Sequence, residues 1–384
     1  MKKRIVFVQP LLAPYLVPRF EALAELGEFD VHIVVESAGF EGRVGWSPRE
    51  VRGCHVYVAK SRQMHKTLRD GCLGYTDSLT KTVPYGLPLL LARLAPDAVI
   101  ICNPTEAICA ALAKTLVPFR TGLILEDTPT SQAKKRRIVQ TLRKHVYRMA
   151  DFVICFSEDA KRYAQSIGIN APLHRSSWSI DPLWLGYKRK AEGPPSAKYV
   201  IRIPQSIVRF LIVGALRELK GHLPFLKAWT EFSKGKDDVE LIVVGDGPLR
   251  SKAEAFCLNQ GLRNVRIRGN VLYETVKEFY LSSDVFVLPT LEDLFGLVVT
   301  EAMAFGLPVL TTPYAGAREL IRDGYNGYLF DPAVQCSTVQ ALEKIYSQRN
   351  RLTDMGNNSR EIISRYTHEE VMHNLAQILE KECS

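Results

Sequence analysis

Short runs of β-branched and other apolar residues alternate with amphipathic stretches along the whole chain. Their periodicity predicts strands over Arg4–Gln9, Val31–Val35, Ala98–Cys102, Gly122–Leu125 and Phe152–Phe156 in the first half. In the second half it predicts strands over Phe210–Val213, Glu240–Val244, Val265–Arg268, Val285–Leu288 and Pro308–Thr311. Helical spacing fills the gaps, as in Pro18–Leu26, Leu223–Phe232 and Thr275–Leu281. The first of these has proline at its first helical position, where a missing N–H costs nothing. Such an alternation implies parallel sheets covered on both faces. Lys188–Ala197 breaks it with a Gly-Pro-Pro-Ser stretch of linker chemistry. The pattern therefore divides the chain into two tandem Rossmann-like, doubly wound α/β domains, 1–187 and 205–365, joined by a linker over 188–204.

A length of 384 residues, 46% of them apolar and 24% charged, agrees with two domains and excludes wholesale disorder. No apolar run is long enough to cross a membrane; Pro84–Arg93 carries two prolines and ends on arginine. The basic start is followed by only four apolar residues, so it reads as a strand rather than a signal peptide. Eight cysteines without a C-x-x-C pair read as free buried thiols of a reducing, cytoplasmic setting. No His/Cys cluster has metal-ligand spacing, and no metal is expected.

Charge is uneven. Residues 1–190 hold 28 Lys and Arg against 17 Asp and Glu, whereas 191–384 hold 22 against 24. An anionic partner is therefore expected on the first half alone. Lys134–Met149 concentrates the excess: seven basic residues and no acid surround a seam of Ile138, Leu142, Val146 and Met149. This is either a solvated helix face or a surface for phosphate or anionic lipid, peripheral to a membrane. No nucleic-acid partner is expected, because no reading module accompanies the charge.

Candidate chemistry begins with a rejection. Gly245-Asp-Gly-Pro-Leu-Arg250 follows a strand and opens a helix, but Arg250 stands where a dinucleotide fingerprint needs its third glycine. The stretch Asp284–Thr312 is more informative. A buried strand ends at Pro289, an acidic loop follows, and a helix starts near Phe295-Gly296 and stops at Gly306 before Pro308. Asp293 then sits at the ligand-binding edge of an open sheet. The N–H groups of Phe295, Gly296 and Leu297 form an anion-binding helix start. Glu301, about one and a half turns in, can accept from two vicinal hydroxyls of a ribose. The alternative is charge complementarity at a helix start plus a solvated glutamate.

Four blocks together resemble glycosyltransferase family 4, a retaining group of the GT-B fold with two Rossmann-like domains around a cleft. They are Phe210–Gly221, Leu241–Pro248, Asp284–Thr312 and Asp323–Pro332. The resemblance covers about 205–335 well and the first half loosely. It implies that Glu301 holds the donor ribose and Asp293, where the family has glutamate, holds the transferred sugar. It places Lys220 on the departing diphosphate, after the backbone at Gly214. Ala215 stands at the family's arginine, so Arg217 either reaches the phosphates in its place or is a solvated charge. Gly245 is a packing turn or a nucleotide contact, and the amides at Asn270 and Val271 match a loop facing the base.

The same resemblance makes the first half the acceptor domain, with Tyr15 and Arg19 on the acceptor side. Glu126 and Asp127 occupy a strand end where relatives place a histidine. Either they contact sugar hydroxyls, or Asp127 or Thr128 caps a helix. A final helix at about 366–384 is expected to return to the first domain. The implied activity is sugar transfer, with retention, from a nucleoside-diphosphate sugar to a hydroxyl of a sugar or lipid-linked acceptor in glycan, polysaccharide or glycolipid biosynthesis. No D-x-D motif is present to hold a metal at the diphosphate, and no cofactor is implied beyond the co-substrate. A sugar-nucleotide epimerase of the same fold and a non-catalytic nucleotide-sugar binder are the alternatives.

Overall fold

The computed structural model describes residues 2–37, 50–70, 75–129, 137–180, 207–272 and 275–384. The linker over 188–204 and the basic residues Lys134, Lys135 and Arg136 lie outside them. The chain splits into two compact units, 1–181 with 366–384, and 182–365.

In the first unit the strands are β1 (Lys3–Gln9), β2 (Phe29–Val35), β3 (Cys54–Val58), β4 (Arg62–Asp70), β5 (Tyr75–Val83), β6 (Ala98–Ile101), β7 (Arg120–Leu125), β8 (Phe152–Cys155) and β9 (Leu173–Arg175). Seven of them form one sheet in the order β3-β2-β1-β6-β7-β8-β9, parallel at every pairing. Strands β4 and β5 form a separate antiparallel hairpin. The helices are α1 (Val17–Glu25), α2 (Leu87–Leu94), α3 (Pro104–Lys114), α4 (Arg137–Tyr147) and α5 (Glu158–Ser166).

In the second unit β10 (Val208–Val213), β11 (Val239–Val244), β12 (Val265–Gly269), β13 (Val285–Val287), β14 (Val309–Thr311) and β15 (Gly327–Leu329) give the order β12-β11-β10-β13-β14-β15, again parallel. Its helices are α6 (His222–Phe232), α7 (Arg250–Asn259), α8 (Val276–Leu281), α9 (Leu297–Ala304), α10 (Gln335–Ser347) and α11 (Leu352–Ile363). The chain then returns to the first unit as α12 (His368–Cys383).

Both sheets are sandwiched, which explains their near-continuous apolar strands. One face of the first sheet packs Val6, Val8, Val99 and Leu123 against Leu87 and Leu91 of α2 and Ala110 of α3. The opposite face packs Ile5, Phe7, Ile33 and Ile100 against Phe20 and Leu23 of α1 and Met372, Leu375 and Leu379 of α12. In the second unit Phe210, Leu241 and Val285 pack on Phe225, Trp229 and Phe232 of α6 and Leu342 and Ile345 of α10. The seven described cysteines are free; only Cys109, Cys155 and Cys257 are buried and Cys336 is exposed, so the expected buried set is smaller than the apolar context suggests.

Candidate active site

The second unit brings three segments together at the carboxyl edge of its sheet. The short 3-10 turn Glu218–Lys220 follows β10, and its Leu219 carbonyl accepts from the N–H of Leu291 (2.7 Å) and from Thr290 Oγ1 (3.0 Å). On the other side Asp293 N–H donates to the Tyr314 carbonyl (3.1 Å), Gly316 N–H to the Asp293 carbonyl (3.2 Å) and Ala317 N–H to the Phe295 carbonyl (2.7 Å). The acidic loop is thus tied by its backbone on both flanks. Gly221 closes the first flank at φ +65°, and a Cβ there would lie 1.9 Å from the Pro289 carbonyl oxygen.

This scaffold sets Lys220 Nζ 2.5 Å from Asp293 Oδ2, with both side chains mostly buried. Helix α9 starts four residues beyond Asp293 behind Gly296 at φ +95°, with no side-chain cap. The N–H groups of Phe295, Gly296 and Leu297 donate to no acceptor among the described residues. An uncapped helix start beside a lysine is a place for an anion. Further along the helix Glu301 accepts a 2.7 Å hydrogen bond from the Tyr280 hydroxyl. Burial pushes its pKa up to about 7, against the pull of that hydroxyl. Tyr280 is fully buried and stacked on Phe305 at 5.2 Å, which fixes the bond. No sequence spacing announces it, because Tyr280 and Glu301 are joined only by packing.

Gly245 sits in a tight packing turn at the sheet edge. A Cβ on it would lie 2.0 Å from the Gly214 carbonyl oxygen, and its N–H bonds the Gly269 carbonyl. Gly214 is different, with open space where a side chain would point. Asn270 and Val271 follow β12, Asn270 exposed and Val271 half-buried. Arg217 is half-buried, and its backbone lies just before the turn that carries Lys220. His222, directly after Gly221, is buried and held down to about 4 by burial and by Lys220, so it is neutral.

The first unit requires corrections. Arg19 is not on a solvent-facing acceptor wall: α1 turns Arg19, Phe20 and Leu23 inward. Its guanidinium lies 4.4 Å from the Trp178 ring, and burial lowers its pKa to about 10. Tyr15 packs edge-on against the same indole at 5.9 Å. Trp178 Nε1 donates to Glu126 (2.5 Å), so Glu126 belongs to this half-buried aromatic cluster. Asp127 is buried rather than open to a sugar: it accepts from Arg143 (2.8 Å) and from the Tyr147 hydroxyl (2.8 Å). Arg143 is therefore withdrawn from the basic face of α4, while Ile138, Leu142 and Met149 of its seam are exposed.

Two tandem parallel α/β units with this carboxyl-edge site define the GT-B class. Residues 200–362 match the model "Glycosyl transferases group 1" and residues 13–175 the model "Glycosyl transferase 4-like domain". The chain belongs to the group 1, family 4 glycosyltransferases. An uncharacterized glycosyltransferase of Methanocaldococcus jannaschii is 32% identical over 138 residues, 36% of this chain and 35% of that protein. The D-inositol 3-phosphate glycosyltransferase of Paenarthrobacter aurescens is 32% identical over 151 residues, 38% of this chain and 37% of its own. The chain thus spans little more than a third of the length of these curated relatives.

Among solved structures, sucrose-phosphate synthase from Thermosynechococcus elongatus superposes with a TM-score of 0.77 at 17% identity, over 99% of both chains. HepE of Anabaena in complex with UDP gives 0.73 at 16%, over 99% of this chain and 100% of that one. Likeness at such identities establishes the fold.

Proposed function

We propose that the protein transfers a sugar, with retention, from a nucleoside-diphosphate sugar to an acceptor hydroxyl. The observation that carries this is the grouping of Lys220, Asp293 and the uncapped start of α9 on one sheet edge, with Glu301 further along the same helix. Lys220 and the helix start stabilise charge on the leaving diphosphate as the anomeric carbon becomes cationic. They supply the positive charge there without a divalent metal, in keeping with the absence of a D-x-D motif. Glu301 takes the ribose hydroxyls and Asp293 the sugar. The Anabaena neighbour was crystallised with UDP and with UDP-glucose, which supports a uridine diphosphate donor as the first to test. Both family models and the curated relatives are transferases, so the epimerase alternative is not favoured.

The acceptor is proposed to be lipid-linked and met at an anionic membrane. Helices α2 and α3 are neighbours, as are α3 and α4. Their outward faces expose Leu89, Ile108, Leu112, Ile138 and Leu142, each at least half exposed. Apolar side chains interleaved with Arg137 and Lys144 suit an interface of acyl chains and anionic headgroups.

Calorimetry with UDP and steady-state kinetics on three variants test the donor site. Glu301→Ala removes two hydrogen bonds to a charged acceptor, worth roughly 3–5 kcal/mol together, and should weaken UDP binding by about two to three orders of magnitude. Asp293→Ala should lower kcat without weakening UDP, since it frees Lys220 for the diphosphate. Glu292→Ala should be mild. A crippling Glu292→Ala with a silent Asp293→Ala would overturn the assignment of the acidic pair, and normal UDP binding by Glu301→Ala would overturn the ribose role.

A further inference from the structure

The first unit holds a second polar cluster, at the amino edge of its sheet, that sugar transfer does not use. Asp30 and His32 project from β2 to one face, two residues apart, and His55 of β3 is the cross-strand partner of His32. His32 Nε2 lies 3.0 Å from Asp30 Oδ2, and His55 Nε2 lies 3.6 Å from Asp30 Oδ1. One ligand atom from each of the three residues falls within 4.8 Å of the others. The spacing of histidines and cysteines along the chain does not reveal the group, because strand pairing brings His55 to it.

His32 is the informative member. Its residue is 4% exposed, yet its Nδ1 is buried without a hydrogen-bond partner. Its Nε2 meets the Asp30 carboxylate at 3.0 Å as an ion-pair contact. A buried polar group left this way is costly and calls for a partner. Two ligands that share one tetrahedral ion at about 2.0–2.2 Å lie about 3.4 Å apart without hydrogen-bonding each other. The Tyr57 ring stacks on His32 at 5.7 Å with an interplanar angle of 1°, which fixes the imidazole plane.

We propose that Asp30, His32 and His55 bind one divalent transition-metal ion of the zinc type, which clips edge strand β3 to β2. The donor set of two imidazoles and a carboxylate suits zinc. Arg4 Nε donates to Asp30 Oδ2 (3.1 Å), and Arg4 Nη1 to the Leu94 carbonyl (2.5 Å). A carboxylate has lone pairs enough to accept from Arg4 and still ligate, so Arg4 acts as the outer partner that orients Asp30. Beside His32 a cavity of about 300 Å³, lined by Arg4, Tyr57, Leu90, Arg93 and Leu94, has room for solvent or a small anion as fourth ligand.

Calorimetry with Zn²⁺ and absorption spectroscopy with Co²⁺ on the full chain test this without reference to transferase activity. One equivalent should bind, with visible bands of a nitrogen and oxygen site and no thiolate charge-transfer band. His55→Gln is the principal variant, because this side chain is 64% exposed and its loss leaves the core intact. It should weaken binding by at least about tenfold, the least that even outer-shell partners contribute. Asp30→Asn should do the same. Absence of stoichiometric binding, a thiolate band, or unchanged affinity in His55→Gln would each overturn the proposal.

Discussion

Glu301 shows how a single residue's surroundings set its chemistry. Its carboxyl titrates near 7 in the folded chain because burial disfavours the charge, and the Tyr280 hydroxyl only partly offsets this. The native pKa lies above the ordinary value of 4.5. Its contribution to stability is therefore full below about pH 4.5 and is lost as pH rises through about 7. Glu301→Gln keeps the shape and removes the charge, so its advantage in thermal midpoint over the native protein should grow from pH 5 to pH 8. The gain should be about 2–4 °C for each kcal/mol of desolvation relieved. An advantage that stays constant with pH would show that the native carboxyl titrates normally. Such a residue stores instability that a bound hydroxyl donor would relieve, as in the ribose contact proposed for it.

At the scale of elements, the loop between β13 and α9 is held in place by the turn before α6, and Gly221 is the point of closest approach. Gly221→Ala meets both the unfavourable φ, at roughly 1–3 kcal/mol, and the carbonyl of Pro289. Gly235→Ala has nearly the same φ, +74°, with nothing within 4 Å. Urea unfolding should therefore show Gly221→Ala as the more damaging of the two, with the difference reporting the clash; equal losses would mean that the turn yields. The inner strands were legible in the sequence because two buried faces demand unbroken apolar runs, as in Ile5–Val8 and Leu241–Val244. The hairpin of β4 and β5 was not, since Arg62–Asp70 is mostly polar and lacks a core-facing alternation. Strands β3, β9 and β15 are not legible for a related reason: they are short and lie at sheet ends. Asp293 and Glu301 could be found from one segment. The pairing of Asp293 with Lys220 could not, because it depends on the backbone bonds from Leu219 to the acidic loop.

For the whole molecule, the uneven charge and the exposed apolar faces of α2, α3 and α4 belong to the same unit, and their joint consequence can be measured. Full burial of a leucine is worth about 1.5–3 kcal/mol, and a basic residue near an anionic surface about 1 kcal/mol. Leu112→Ser with Leu142→Ser should reduce binding to phosphatidylserine-containing vesicles by at least tenfold at any salt concentration. Lys144→Gln should reduce only the part that salt screens. No binding by the native protein would remove the membrane from the proposed function. The placement of α12 has a different kind of consequence, one that concerns synthesis. Val371, Met372, Leu375 and Leu379 complete the core beneath β1, β2 and α1, yet they are made after every residue of the second unit. A ribosome therefore releases the first unit with one face of its sheet covered by α1 alone, and the second unit can close while the first still waits. During that interval Ile5, Phe7 and Ile33 are available to any chaperone that recognises apolar strands, so the domain translated first is the one completed last.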